Sequence, residues 1–299
     1  MNQQLKIGWI TLFLAIFLAP ASLCSADKVL KMSTTTSTLA SGLLDVLLPE
    51  YTKDTGVRVK VIAKGTGAAI RDGMDGNVDV IFVHAKSREM KFIKEGYGTK
   101  RYAIMHNDFV VLGPKADPAG IRRNKTAEGA LWNIAKARAI FCSRGDDSGT
   151  HTKEQALWKK SGVPMVTEQK TIIKKGKKRQ IKFTRPAGSW YRSLGQGMGK
   201  TLTYADEKAA YTLSDRGTYI KYKFGREVGI DLEVLNEGDV GLANPYGVIP
   251  INPEKHPHVQ FALADQFAQW LVSRKAQRII NNYKLIGKQL FYPDAIPNP

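Results

Sequence analysis

Short apolar runs alternate with amphipathic stretches along this chain, and three of the runs end in clusters of hydroxyl and glycine residues. Val29–Met32 leads into Ser33-Thr34-Thr35-Thr36-Ser37-Thr38, and Val57–Ala63 into Gly65-Thr66-Gly67. Arg138–Cys142 leads into Ser143-Arg144-Gly145-Asp146-Asp147-Ser148-Gly149-Thr150. Apolar spacing of three and four, the mark of a helix face, follows in Leu43–Tyr51, more weakly in Ala68–Met74, again in Ser87–Lys94 and from Gly149 onward. Val78–Val83 is a further strand. Strands and helices alternating at these lengths predict βαβ units, a mostly parallel sheet and an α/β fold.

Two extended runs punctuated by prolines, Asp108–Pro114 and Leu242–Pro250, bound a self-contained α/β middle. They predict two lobes with two crossing strands. The first lobe takes residues 27–113 and 246–299, the second 114–245. Val259–Tyr283 reads as one long amphipathic pattern, with Phe261, Leu263, Phe267, Trp270 and Leu271 near one face. Between 166 and 189 the alternation breaks. Lys170–Ile173 and Gln180–Thr184 flank Lys174-Lys175-Gly176-Lys177-Lys178-Arg179, which reads as a hairpin with a basic tip. Such a tip is either a solvated excursion or a docking surface for an acidic partner or membrane headgroups.

With 43% hydrophobic and 24% charged residues the chain has an ordinary globular composition, which excludes wholesale disorder. Its net charge of +18 suits nucleic acid, an anionic surface or small anions. The N-terminus weighs against nucleic acid. Lys6 precedes an apolar run from Ile7 to Ala19, then come Pro20 and the small residues Cys24-Ser25-Ala26 before Asp27. This is the pattern of a secretory signal over residues 1–26 and predicts a periplasmic protein. A lipidated Cys24 or an uncleaved segment is the alternative, and Leu23 fits a lipid-attachment site poorly. Cleavage leaves Cys142 as the one cysteine, so no intramolecular disulfide is available. In an apolar strand it reads as a buried, inert thiol.

In open α/β sheets ligands gather at the carboxyl ends of strands, where helix N-termini offer unpaired N–H groups and a positive dipole end. Thr34–Thr38, Gly65–Gly67 and Ser143–Thr150 stand at such ends. Arg144 adds a planar fork of donors that never loses its charge. Each run alone is also an ordinary helix cap. Together they point to a tetrahedral oxyanion. Leu213–Tyr219 repeats the pattern, with Arg216 either a second anion ligand or a brace paired to Asp215. The histidines His84, His106, His151, His256 and His258 show no convincing metal-ligand spacing. Gly195–Thr201 lacks the spacing of a P-loop and reads as a tight helix entry.

Thr34–Ser37, Asn107-Asp108-Phe109, Ser143–Thr150, Gly195–Gly199 and Asn244–Gly247 together resemble, in order over nearly the whole mature chain, the tungstate-binding proteins of bacterial ABC importers. The resemblance implies a two-lobed periplasmic-binding-protein fold with a hinge of two strands and a cleft that closes on the anion. It implies that Thr35, Thr36 and Ser37 serve from the first lobe and Arg144, Ser148, Gly149 and Thr150 from the second. Thr66 and Arg216 join the candidate set from the residues alone. The implied protein is a monomer without cofactor, resident metal or catalysis that hands tungstate or molybdate to a membrane permease. The basic segment at 166–189 departs from the family's pattern.

The residues alone leave the anion open. Phosphate near neutral pH keeps a proton and wants a carboxylate acceptor, whereas tungstate, molybdate and sulfate are proton-free. If Asp146 or Asp147 faces the ligand, phosphate gains; if both turn away, a dianion is favoured. The resemblance favours tungstate. Two other classes remain: an exported phosphoester hydrolase using His151 or an aspartate as base, and an adhesive module built on the basic hairpin.

Overall fold

The structure, a computed structural model, describes residues 28–146, 148–174 and 176–295. The expected signal segment, Cys24 and Asp147 lie outside the described residues. In chain order the first elements are β1 (Val29–Thr35), α1 (Thr36–Ala40), α2 (Leu43–Thr55), β2 (Arg58–Lys64), α3 (Thr66–Met74), β3 (Val80–Val83), α4 (Lys86–Lys94) and the long β4 (Tyr102–Gly113). The middle brings α5 (Ala127–Lys136), β5 (Phe141–Ser143), α6 (Gly149–Lys160), β6 (Met165–Lys174), β7 (Lys177–Pro186), β8 (Tyr191–Ser193), α7 (Met198–Glu207), β9 (Tyr211–Asp215), α8 (Arg216–Phe224) and β10 (Glu233–Asn236). The chain returns through β11 (Ala243–Pro250), α9 (Phe261–Leu271), α10 (Arg274–Asn282) and three two-residue strands, β12 (Lys284–Leu285), β13 (Lys288–Gln289) and β14 (Tyr292–Pro293).

The principal sheet runs β2-β1-β3-β11-β4-β9-β5-β8. The pairs β1–β2, β1–β3, β5–β8 and β5–β9 are parallel, as βαβ units require. The crossing strands are not: β11 is antiparallel to β3 and β4, and β4 is antiparallel to β9. The sheet is therefore mixed rather than mostly parallel, because a chain that leaves a lobe and returns runs in opposite senses. Side-chain alternation then covers both faces. In the first lobe Val80 and Phe82 meet α2, α9 and α10 in one core, while Ile81 and Val83 meet α3 and α4 in another. In the second, Phe109 and Val111 face α5 and α6, and Val110 and Leu112 face α7 and α8.

Partners change within β4. Tyr102–Asp108 lies against β11, and Phe109–Leu112 lies against β9. The chain thus passes between lobes at Asp108–Phe109, and Val110–Leu112 already belong to second-lobe cores. The strand itself ends at Gly113, next to the expected divide at 113/114. The expected long helix over 259–283 is two helices. Ser273 ends the first and caps the second, its hydroxyl accepting from the Ala276 amide at 3.3 Å. The basic segment pairs as a ladder from Met165–Pro186 to Lys174–Lys177, with Gly176 at φ 73° in the turn. At its base Ile181 and Phe183 are buried, and Phe183 meets the His151 ring edge-on at 4.7 Å.

Cys142 is wholly buried in the second lobe, and burial pushes its thiol up to about 11, which keeps it protonated. Nearby, Glu154 on α6 accepts the Ser143 hydroxyl at 2.7 Å and the Tyr191 hydroxyl at 2.6 Å, tying β5 and β8 to the helix between them. Glu154 is 1% exposed, and this burial raises its carboxyl from 4.5 to about 7. A carboxyl that holds its proton more tightly when folded adds stability below about 4.5, and loses that contribution as pH rises through about 7. We expect Glu154→Gln to lack this fall. Melting curves from pH 4.5 to 7 should diverge from those of the unaltered chain toward the upper end. Parallel curves would contradict it.

Candidate functional site

Strand register decides where the site lies. Val83, at the carboxyl end of β3, is opposite Gly247 on β11, and Asp215, at the carboxyl end of β9, is opposite Phe109 on β4. The parallel neighbours β1 and β5 end alongside them. The carboxyl ends of β1, β3, β5 and β9 therefore all face the crossing, from opposite lobes. There the polar runs at Thr35 and Ser143 begin.

On the first-lobe side Thr35 caps α1, its Oγ1 accepting from the Thr38 amide at 3.1 Å. The same oxygen lies 3.0 Å from Ser37 Oγ and 2.6 Å from Thr38 Oγ1. Thr35 is 3% exposed, whereas Thr36 and Ser37 face solvent. The amides of Thr36 and Ser37 have no acceptor among the described residues, as expected of a first helical turn. Thr66 opens α3 one strand away, and no hydrogen bond joins it to this group.

On the second-lobe side Arg144 follows β5 directly. Its Nη2 donates to Asp146 Oδ2 at 2.7 Å and its Nη1 reaches Thr150 Oγ1 at 3.5 Å. Its Nε is buried and has no partner among the described residues. Asp146 turns toward the protein, since its other oxygen accepts from the Ser148 amide at 3.3 Å. Ser148 caps α6 by accepting from the His151 amide at 3.3 Å, leaving the Gly149 and Thr150 amides without an acceptor among the described residues. Gly145 sits at φ 54°, where its added Cβ would stand 2.0 Å from Ser193 Oγ. Only glycine fits this turn, and the turn aims Arg144. Lys153, further along α6, donates to the carbonyls of Gly241 and Ala243 at 2.9 Å each, fastening the anion helix to the start of β11.

Of the two roles open to Arg216, anion ligand or brace, its contacts fit the brace. Its Nε and Nη2 fork onto Asp108 at 2.6 and 2.5 Å, and Nη2 also meets Glu237 at 2.5 Å. Burial opposes its charge, but the two carboxylates outweigh burial and raise its pKa. Arg216 thus braces the crossing at Asp108 rather than Asp215, which instead caps α8 by accepting from the Thr218 amide at 2.8 Å. His151 is wholly buried against Phe183, which removes it from any role as an exposed base.

Four residues that sequence reasoning passed over as ligands or supports join the first-lobe group. His84, just past β3, places Nε2 3.0 Å from Thr35 Oγ1 and 3.2 Å from Ser37 Oγ. Its Nδ1 meets Asn244 Oδ1 at 3.2 Å, and Asn244 Nδ2 donates to Asn107 Oδ1 at 2.7 Å. The His84 ring stacks on Tyr246 with centroids 4.6 Å apart. Burial lowers the His84 pKa. The available signal was positional: His84 follows a strand, as Thr35 and Arg144 do. Among the described residues no group of three or more His, Cys, Asp or Glu is placed to hold a metal ion, and no helix is long and apolar enough to cross a membrane.

Buried donors without acceptors, capped helix starts and hydroxyls from two lobes make an arrangement suited to a small oxyanion. Known proteins similar to this chain include tungstate-binding ones. The tungstate-binding protein TupA of Peptoclostridium acidaminophilum is 44% identical over 268 residues, spanning 88% of this chain and 85% of that one. The structure of the tungstate binding protein TupA from Desulfovibrio alaskensis G20 superimposes with a TM-score of 0.80 at 44% identity, covering 90% of this chain and all of that one. The structure titled tungstate ABC transporter from Geobacter sulfurreducens gives a TM-score of 0.68 at 47% identity, covering 86% of this chain and 100% of that one. The sequence profile of the PBP superfamily domain matches residues 25–275. The chain belongs to the PBP superfamily.

Proposed function

We propose that this protein is an extracytoplasmic receptor that captures tungstate, and molybdate as its near neighbour, and delivers it to an ABC permease. The observation that carries the reading is Arg144, whose buried Nε lacks an acceptor among the described residues, beside the amides of Gly149 and Thr150, which lack one there too. An oxyanion at that point supplies what each donor lacks. In this reading Ser148 and Thr150 complete the second-lobe side, and Thr35, Thr36 and Ser37 meet the anion from the first lobe when the lobes close. Tetrahedral oxygens accept several hydrogen bonds at once, so the ligand is what joins the two sides. No bond is made or broken.

Asp146 favours a proton-free dianion over phosphate. Its two oxygens turn to Arg144 and to the Ser148 amide, which supports a carboxylate that braces the arginine over one that accepts a phosphate proton. The proposal also takes residues 1–26 as a cleaved signal, the periplasm as the site of action, and a monomer as the working form. Relatives named for tungstate binding at 44% identity support the choice of anion.

Titration calorimetry tests both points. Tungstate and molybdate should bind more tightly than sulfate, and phosphate most weakly; tight phosphate binding with weak tungstate would overturn the reading. Arg144→Ala should weaken tungstate by roughly 10- to 100-fold, because a charged hydrogen bond is worth about 1.5–3 kcal/mol. Arg216→Lys should lower the melting temperature yet leave tungstate affinity within about twofold, since its fork holds Asp108 and not the ligand. A loss like that of Arg144→Ala would return Arg216 to the site.

A further inference from the structure

Resting on the receptor reading above, we propose that His84 is a positioning residue of the oxyanion site. Its Nε2 accepts the hydroxyl protons of Thr35 and Ser37 until an anion claims them, and must then itself become a donor. The geometry is a count of protons. Asn244 Nδ2 donates to Asn107 Oδ1 at 2.7 Å, so Asn244 Oδ1 is the atom that faces His84 Nδ1 at 3.2 Å. An oxygen there needs a hydrogen from the ring, which fixes the neutral imidazole as the Nδ1–H form. Nε2 is then a bare lone pair, 3.0 Å from Thr35 Oγ1 and 3.2 Å from Ser37 Oγ.

Each hydroxyl carries one proton. Thr35 Oγ1 accepts from the Thr38 amide and lies 2.6 Å from Thr38 Oγ1 and 3.0 Å from Ser37 Oγ, so its one proton goes to a single acceptor at a time: the ring, a neighbouring hydroxyl or a ligand. When an oxyanion takes the hydroxyl protons, ring and hydroxyl lone pairs face each other at these short separations, which is repulsive. A proton taken from solvent onto Nε2 removes the repulsion: the ring now donates to the hydroxyls, and they donate to the anion. The imidazolium also adds a positive charge toward a dianion. Moving the existing proton from Nδ1 to Nε2 would instead strip Asn244 Oδ1 of its donor and break the link to Asn107 on β4.

Burial keeps the ring neutral in the protein alone, so the proton comes with the charge of the arriving anion. Asp215, at the carboxyl end of β9, is the charged side chain whose field favours the imidazolium, while burial opposes it. The other groups against the ring, Asn244 and Tyr246 on β11 and Thr35 and Ser37 at the β1–α1 junction, carry no charge at neutral pH. Because Asn244 and Asn107 lie opposite each other on the two crossing strands, the same chain of bonds ties the state of the site to the hinge.

The test is calorimetry of tungstate binding in buffers of different protonation enthalpy, from about pH 6 to 8, the range in which histidine titrates. The unaltered protein should take up protons on binding, more at the acid end, with affinity rising as pH falls. His84→Gln should still bind but with no uptake and a flat pH profile. Asn244→Asp, which places a carboxylate on Nδ1–H, should shift the profile to higher pH. Tungstate binding without proton uptake in the unaltered protein, or uptake that survives in His84→Gln, would overturn the role of His84 alone. Absence of any tungstate heat would overturn the receptor reading as well.

Discussion

A guanidinium taken out of water needs an acceptor for each donor it buries, and Arg144 has fewer than it needs. Asp146 holds Nη2, Thr150 touches Nη1, and Nε has no partner among the described residues. A buried charge left short in this way costs stability that a bound anion would return. The local backbone is built around that shortfall. The left-handed turn at Gly145 aims the side chain, the Ser148 cap starts α6 beside it, and Lys153 fixes the same helix to the entry of β11. In the proposed reading the ligand supplies the acceptors that these donors lack.

The second requirement is that two lobes meet at one gap, and antiparallel crossing strands supply it. Ala243 stands opposite Asp108, so β11 enters the first lobe at the level where β4 leaves it. Parallel units on either side must then end toward the crossing. Helix starts and hydroxyl loops follow strands, so they arrive at the gap from both sides without further design. Arg216, Asp108 and Glu237 brace this passage, and Lys221 on α8 reaches across to the carbonyl of Ala40 at 2.6 Å.

Much of this was legible in the residues. Alternating apolar and amphipathic stretches announced the α/β lobes, and the proline-flanked runs announced the crossing strands. The hydroxyl, glycine and arginine clusters marked the loops at strand ends. What failed did so for tertiary reasons. The senses of β4 and β11 follow from a chain that leaves one lobe and returns, which no local pattern contains. Ser273 splits an otherwise continuous amphipathic stretch, because a hydroxyl at a helix start competes with propagation. Arg216 looked like Arg144 in sequence; only the fold brings Asp108 and Glu237 to it. His84 was set aside for want of a metal-like spacing, yet its partner Asn244, and Asn107 beyond it, are distant along the chain and meet only across the crossing strands.

The measurement that tests the account most directly is anomalous diffraction at a tungsten absorption edge from crystals grown with tungstate. The account requires one strong peak between the start of α1 and the start of α6. Its oxygens should lie within hydrogen-bonding distance of the Arg144 guanidinium and of the Thr35–Ser37 group. A peak elsewhere on the molecule, or one in the gap with Arg144 turned away from it, would contradict the account.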